Sequence, residues 1–305
     1  MKKSSSEATK DARREATPQL SPQAGPLRVA IQGERGSNSH MAALDMLQPE
    51  FAELEIVPCS VSAEVVAAVV SGRVDAAVLP IENSLHGSVA EHYDLLMEQP
   101  VRIERESLLR IRHNLIAAPG VALEDIKWVL SHAVALSQCR RYLSALTATR
   151  KARPMPFYDT AGSVKHIMAE GLRDSAGIAP ELAAEEYGAH VLVRGIEDHA
   201  QNYTRFHLVR SGAVPREAAL PKPDKMSVAF AVEHRPGTLV KALQALADAG
   251  VDLTQIESRP VPGKPWEYVF YVDLRIADAA MADRALAAMQ PHCRMVKELG
   301  RYKAA

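Results

Sequence analysis

Two α/β lobes followed by a smaller α+β domain of ferredoxin-like order form the fold class that three features of the 305-residue chain predict. Strand and helix patterns alternate from Leu27 onward, a long extended stretch interrupts the alternation once, and beyond a proline-bearing segment the order changes to βαββαβ. The residues before Leu27 are polar and rich in Ser, Pro and Ala, so they bury too little apolar surface to offset the entropy of ordering. They are expected to form a disordered tail over residues 1–26.

The elements follow in order. "LRVAIQG" reads as a strand, and "SNSHMAALDML" as a helix with a small polar cap and helical apolar spacing at Met41, Leu44 and Leu47. "EIVPCS" is a strand, "SAEVVAAVVSG" a helix ended by Gly72, "VDAAVLPI" a strand, and "SVAEHYDLLMEQP" a helix in which Ser88 and Glu91 have capping-box spacing. The extended stretch "VRIERESLLRIRHNLIAA" then separates the two runs. Alternation resumes with strand "IKWVLS", helix "AVALSQCRRYLSAL", strand "RPMPFY", helix "TAGSVKHIMAEG", strand "AGIA", helix "PELAAEEYG" and strand "HVLVRG". Strands separated by helices imply right-handed crossovers and mainly parallel sheets. The three prolines of "RSGAVPREAALPKPDK" mark a linker over 212–224, which closes the two-lobed region at 27–211 and opens a last domain at 225–303.

Composition narrows the function classes. Apolar residues make up 47% of the chain, which allows a sizeable core, and 36 Lys and Arg against 37 Asp and Glu leave a formal charge of -1. That balance offers no electrostatic reason to expect nucleic acid or an anionic membrane as partner. There is no signal-peptide pattern and no apolar run of about 18 residues. Cys59, Cys139 and Cys293 lie far apart without zinc-type spacing, so free thiols in a reducing cytoplasm and no metal are expected.

In open sheets, ligands bind beyond the carboxyl ends of strands, where loops meet helix N-termini. Polar clusters fall at such places: "GERGSNSH", "IENSLHGS", "SH" after "IKWVL", and "DTAGS". "GERGSNS" lacks the Gly-Lys-Ser/Thr ending of a phosphate loop, and neither a GxSxG elbow nor an HExxH motif is present. The candidate set is hydroxyls and amides with one arginine: Asn83, Ser84, Ser131, Gln138, Thr160, Thr204 and Arg205. Such groups can hold carboxylates and donate a proton without covalent chemistry; Ser84 and Thr160 would also serve as helix caps. His40, His86, His132 and His199 lie near the clusters in supporting positions.

"VLPIENSLHGSV", "SHAVALSQC", "DTAGSVKHI" and "NYTRFHLV", in that order, resemble the prephenate dehydratase family, and "RPGTLVKAL" with "IESRP" resembles the ACT domain that such enzymes carry. The matches extend over residues 28–302. The resemblance implies a periplasmic-binding-protein-like pair of lobes with the active site in the cleft, and a regulatory ACT domain. It also implies loss of water and carbon dioxide from prephenate to give phenylpyruvate, without a cofactor, in L-phenylalanine biosynthesis. Thr204 matches the family's proton donor, Arg205 a carboxylate-binding arginine assigned to the side-chain carboxylate, and Phe206 completes the motif. Asn83, Ser84, Ser131, Gln138 and Thr160 match positions that orient substrate. Gly237, Thr238, Leu239 and Val240, with Glu257, Ser258, Arg259 and Pro260, match the segments that bind phenylalanine as allosteric effector. A homodimer or homotetramer is implied. Arogenate, with an amino group where prephenate has a keto group, is an alternative substrate, and a non-catalytic amino-acid sensor an alternative class. Where many members read Gly-Pro-x-Gly-Thr-Tyr/Phe-Ser, this chain has Gly33 to Ser39 as "GERGSNS", without the aromatic at Asn38.

Overall fold

The computed structural model describes residues 25–215, 220–261, 263–264 and 266–305. The expected tail therefore lies, apart from Gly25 and Pro26, outside the described residues, as does part of the expected linker.

The first lobe contains β1 (Leu27–Gln32), α1 (Asn38–Leu47), β2 (Leu54–Cys59), α2 (Ser62–Val70), β3 (Ala76–Asn83), the short β4 (Gly87–Ser88), α3 (Ala90–Glu98) and β5 (Val101–Arg110). The chain then crosses to the second lobe: β6 (Asn114–Ala117), β7 (Trp128–Ser131), α4 (Ala133–Gln138), α5 (Arg140–Arg150), β8 (Arg153–Pro156), α6 (Thr160–Ala169), β9 (Ser175–Ala179), α7 (Glu181–Tyr187) and β10 (His190–Val193). It returns through β11 (Tyr203–Ser211) to the first sheet, whose order is β2-β1-β3-β11-β5; the second sheet is ordered β10-β6-β9-β7-β8. The expected mainly parallel sheets are in fact mixed. β1 pairs in parallel with β2 and β3, and β7 with β8 and β9, but β11 runs antiparallel to both β3 and β5, and β6 antiparallel to β9 and β10. The antiparallel strands flank the two interlobe crossings, which send the chain out along β5 and back along β11.

Local chemistry explains most of the element ends. Ser37 caps α1 by accepting from the His40 N–H at 3.4 Å, and Gly188 closes α7 in the left-handed region at φ 65°. Two expectations are corrected. The helix read through "AVALSQCRRYLSAL" breaks at Cys139, because Asp198, on the return crossing, accepts from the Arg140 and Arg141 N–H groups at 3.0 Å and caps α5 as a separate helix. Ser88 does not cap α3; it lies in β4 and donates to Glu257 of the last domain at 2.9 Å.

That domain consists of β12 (Lys225–Ala231), α8 (Thr238–Asp248), β13 (Asp252–Pro260), β14 (Tyr268–Arg275), α9 (Ala279–Met289) and β15 (Met295–Tyr302). Its antiparallel sheet, ordered β13-β14-β12-β15, has the expected βαββαβ connection. One face packs on α8 and α9 through Met226, Val228, Phe230, Val272 and Leu274. The opposite face packs on the first lobe, where Ala229, Tyr271, Leu299 and Tyr302 join Tyr93, Leu96, Val101, Ile103 and Val209 in one apolar cluster. The backbones approach so closely here that a Cβ on Gly300 would lie 2.2 Å from the Ile103 carbonyl oxygen.

Gly300→Val should therefore force the two sheets apart and destabilise the protein by about 1–3 kcal/mol. Denaturant unfolding monitored by fluorescence would show this as a lower midpoint, and an unchanged midpoint would mean that the sheets are not held at this distance.

Candidate active site

Between the lobes lies a cavity of about 1010 Å³ whose walls are the strand ends and helix N-termini expected to bear the chemistry. Its centre is a cross-strand pair. Asn83, at the end of β3, stands opposite Thr204 on β11, and its Nδ2 donates to Thr204 Oγ1 at 2.9 Å and to Asn202 Oδ1 at 2.8 Å. Asn83 Oδ1 accepts from the Leu85 and His86 N–H groups at 3.0 and 3.1 Å, so a turn at the end of β3 fixes which way the amide faces. Thr204 thus spends a lone pair on Asn83 and keeps its own proton available to the cavity.

The second lobe completes this network. Gln138, the last residue of α4, accepts at Oε1 from Asn202 Nδ2 at 2.9 Å and pairs with His113 Nε2 at 2.7 Å, while its Nε2 lies 3.0 Å from His86 Nδ1. Since Gln138 Oε1 only accepts, His113 carries its proton on Nε2. Burial pushes the His113 pKa below 6.5, so the ring is neutral. Polar side chains therefore run unbroken from His113 in one lobe to Thr204 in the other.

The loop after β1 bridges the cavity mouth. Glu34 accepts from Tyr158 Oη at 2.9 Å and from Lys165 Nζ at 2.8 Å, both in the second lobe, and Arg35 pairs with Glu186 at 2.9 Å. Glycine is required twice in this loop. Gly33 and Gly36 have φ of 89° and 81°, and a Cβ would lie 2.5 Å from Asp159 Oδ2 at the first and 2.6 Å from Ala183 Cα at the second. The departure of "GERGSNS" from the family pattern thus forms a charged bridge across the cleft. Beneath it the N-termini of α1 and α6 face the cavity; Asp159 caps α6 through the Gly162 N–H at 2.7 Å, and Thr160 lines the wall without being the cap.

The structure brings Asn83, Gln138, Thr160, Thr204 and Phe206 to this cavity. It does not bring Ser84, Ser131 or Arg205 there. Ser84 ties the turn to β11, accepting from the Tyr203 N–H at 3.0 Å and donating to the Gln201 carbonyl at 3.2 Å. Ser131 is fully buried and donates to the Ile178 carbonyl at 2.6 Å. Arg205 alternates away from Thr204 to the opposite face of the sheet, where its guanidinium meets Asp273 and Gln255 of the last domain. The arginine expected to hold a substrate carboxylate thus stands outside the cavity wall: Arg205 is 8% exposed, and both Nη atoms have partners behind the sheet.

Alternation likewise divides the expected effector segment. Glu257 and Arg259 face the first lobe, where Glu257 meets Ser88 and Arg259 pairs with Asp94 at 2.8 Å, while Ser258 and Pro260 are exposed. Gly237, at φ 83°, starts α8; Thr238 bonds the Glu233 and Arg235 carbonyls at 2.6 and 2.8 Å, Leu239 packs on the domain core, and Val240 is exposed. Sequence reasoning missed His113, Asn202, Glu34, Tyr158 and Lys165. Asn202 carried a signal as the first residue of "NYTRF", and Glu34 and Lys165 lie within the quoted "GERGSNSH" and "DTAGSVKHI"; their partners are far away in the chain.

A polar cleft between two α/β lobes, backed by an appended α+β domain, defines a two-lobed cleft protein with an accessory domain. The chain belongs to the prephenate dehydratase family: the family profile of that description matches residues 29–213, and a profile of the ACT domain matches residues 226–280. It is accordingly a hydro-lyase. Arogenate dehydratase 2 of Petunia hybrida is 40% identical over 297 residues, covering 90% of this chain and 71% of the relative. A solved prephenate dehydratase in complex with L-Phe, from Arthrobacter aurescens, matches with TM-score 0.79 and 33% identity over 91% of this chain and 90% of that one. A solved structure described as GqqA, a novel type of quorum quenching acylase, matches with the same TM-score of 0.79 and 33% identity, over 91% of this chain and 98% of that one.

Burial also pushes the pKa of His40, His92 and His207 below 6.5, as it does for His113. The unfolded chain then binds more protons than the native one as pH falls through about 6.5, so the stability these rings allow is present above that value and is lost below it. Melting temperature should drop by roughly 5 °C or more between about pH 7.5 and about pH 5.5. A flat profile in differential scanning calorimetry would show that the four rings are not held neutral together.

Proposed function

We propose that the protein catalyses the decarboxylating dehydration of prephenate to phenylpyruvate, with Thr204 as the proton donor and L-phenylalanine as a regulatory ligand of the ACT domain. The observation that carries the reading is the Asn83–Thr204 hydrogen bond. It fixes the hydroxyl at the cavity wall with its proton unassigned to any acceptor among the described residues, which is what a departing hydroxide needs. The substrate supplies much of the driving force, because losing the ring hydroxyl with one carboxylate makes the ring aromatic. The enzyme's part is orientation and a hydrogen bond that strengthens as charge develops on the leaving oxygen. Thr204 need not ionise beforehand.

Phe206, beside Thr204 on the same face, offers an apolar wall for the ring. The amide-bearing starts of α1 and α6, together with Lys165, are the groups suited to the substrate's carboxylates. The carboxylate lost as carbon dioxide is best held loosely, since binding it more tightly than the transition state would slow its departure. Arogenate fits the same arrangement and is the second reading, favoured by the description of the Petunia relative. Acyl transfer has less support. Among the described residues, no hydroxyl lining the cavity is hydrogen-bonded to a histidine ring, the usual activation of a serine or threonine nucleophile.

The domain division at 27–211, 212–224 and 225–303 accords with the strand that ends at Ser211 and the one that begins at Lys225. Self-association is part of the proposal: Val240, Ile256, Trp266 and Tyr268 are exposed on the ACT domain, at 66%, 43%, 73% and 37%, and would be covered by a second copy.

Purified protein given prephenate or arogenate separately should form phenylpyruvate or phenylalanine, and inactivity on both would sink the reading. Thr204→Ala should lower kcat roughly a hundredfold or more with little change in KM, while Thr204→Ser should keep most of the activity. Equal turnover by the alanine variant would remove Thr204 from the acid role. Phenylalanine at saturating concentration should raise the melting temperature, since a ligand that binds only the native state stabilises it; no shift at millimolar concentration would leave the ACT domain without this ligand.

A further inference from the structure

The Asn83–Thr204 pair has a second pair directly behind it. Glu82 and Arg205 are the adjacent residues on the same two strands, stand opposite each other in the β3–β11 ladder, and meet on the back of the sheet at 3.2 Å. Among the described residues, the polar partners of the Arg205 guanidinium all lie on that face. Asp273 on β14 and Gln255 on β13 come from the ACT domain, and Tyr93 on α3 approaches at 3.4 Å. Asp273 is itself held in place, accepting from Ser227 at 2.5 Å and lying 3.3 Å from Lys225, which pairs with Glu106 at 2.7 Å. Swinging Arg205 through the sheet into the cleft would leave a buried Asp273 short of its closest cation and would break the strand that carries Thr204.

We infer that Arg205 is a positioning residue that ties the Thr204–Asn83 pair to the ACT domain through Asp273 and Gln255, and that it does not bind a substrate carboxylate. The inference rests on the reading of Thr204 as the acid. The backbone between Thr204 and Arg205 is shared, so a guanidinium clamped by two strands of another domain limits how far the Thr204 hydroxyl can tilt. The ladder step is irregular just beyond Arg205, where the register with β3 shifts before Phe206, and side-chain anchoring matters most where ladder bonds are interrupted.

The grip continues along β13. From Gln255, every second residue reaches the catalytic lobe: Gln255 meets Tyr93 at 2.8 Å as well as Arg205, Glu257 meets Ser88 of the cavity wall at 2.9 Å, and Arg259 meets Asp94 at 2.8 Å. The intervening Ile256 and Ser258 face the helix side of the ACT domain, opposite Val272 and Phe270 in the ladder. One strand thus presents one face to the effector side and the other to the residues behind the acid. A displacement of β13 moves Thr204 through Arg205 without any contact of its own with substrate.

Steady-state kinetics on the full chain, with whichever of prephenate and arogenate it turns over, test this through Arg205→Lys, Gln255→Leu and the double variant. Arg205→Lys should lose roughly tenfold in kcat with KM within about threefold, because lysine offers one point charge where the fork reached two partners. Gln255→Leu, outside the cavity, should lower kcat about threefold at constant KM, and the double variant should be no slower than Arg205→Lys alone. A rise in KM of about tenfold or more for Arg205→Lys, with Gln255→Leu at wild-type kinetics, would make Arg205 a carboxylate ligand and overturn the inference. Should Arg205→Lys fail to fold, Gln255→Leu at its half-buried site decides alone, and wild-type kcat in that folded variant also overturns it. Calorimetric titration with phenylpyruvate gives a readout independent of turnover: both variants should bind it within about threefold of wild type, and loss of binding in Arg205→Lys alone would again place the arginine on the ligand. Inactivity of the wild type on both substrates would instead count against the reading of Thr204.

Discussion

Because β15 lies on β5 with room only for a glycine at position 300, the ACT sheet is pressed against the catalytic sheet along β5 and β11, and the two domains share one apolar cluster. Polar groups caught in that contact have no water to answer them, so they answer one another. Arg205, Asp273, Lys225, Glu106 and Ser227 form a buried network in which acid and base side chains from both domains alternate. Burial alone would raise the Asp273 carboxyl, but Arg205 and Lys225 hold it below the usual carboxylate range. Such a network contributes little net stability against an apolar equivalent, yet it demands one relative placement of the two sheets. The placement of Thr204 follows from it.

On the cleft side the arrangement is of another kind. Asn83, Asn202, Gln138 and neutral His113 exchange hydrogen bonds with no formal charge among them, and they join groups from both lobes. Charged groups surround that neutral centre: Glu34 and Lys165 meet across the opening, and Asp159 stands at the start of α6. A neutral interior suits a dianionic substrate poorly until the helix starts are counted. Their N–H groups supply positive potential from a fixed place, and Lys165 adds one cation at the opening.

Much of this was legible in the sequence. Period-two and helical spacing marked nearly every strand and helix, and the polar clusters fell where loops meet strand ends. Strand alternation within "NYTRF" puts Thr204 and Phe206 on one face and Arg205 on the other, although the family motif draws all three toward the substrate. What it could not reveal is which face looks into the cleft, because Asp273 is 68 residues away and belongs to another domain. The sign was present in "YVFYVDL", where an aspartate occupies a strand otherwise apolar on both faces and so needs a buried cation. The mixed sheets were missed for a related reason: spacing shows that a strand exists, whereas its direction depends on where the chain has been in between. Ser88 and Ser131 illustrate the limit of local patterns, since each matched a cap or a binding motif while its hydroxyl is held by a residue distant in sequence.

The shared cluster also governs how the chain can be divided. In the amino-acid sequence the ACT domain looks like a detachable module behind a proline-bearing segment. Cutting there would uncover Tyr93, Ile103 and Val209 on the back of the catalytic sheet and strip Arg205 of Asp273 in the same stroke. The catalytic lobes would lose part of their own interior. Modular in its ancestry of motifs, the protein is a single object in its thermodynamics, and the accessory domain is as much the floor beneath the active site as its regulator.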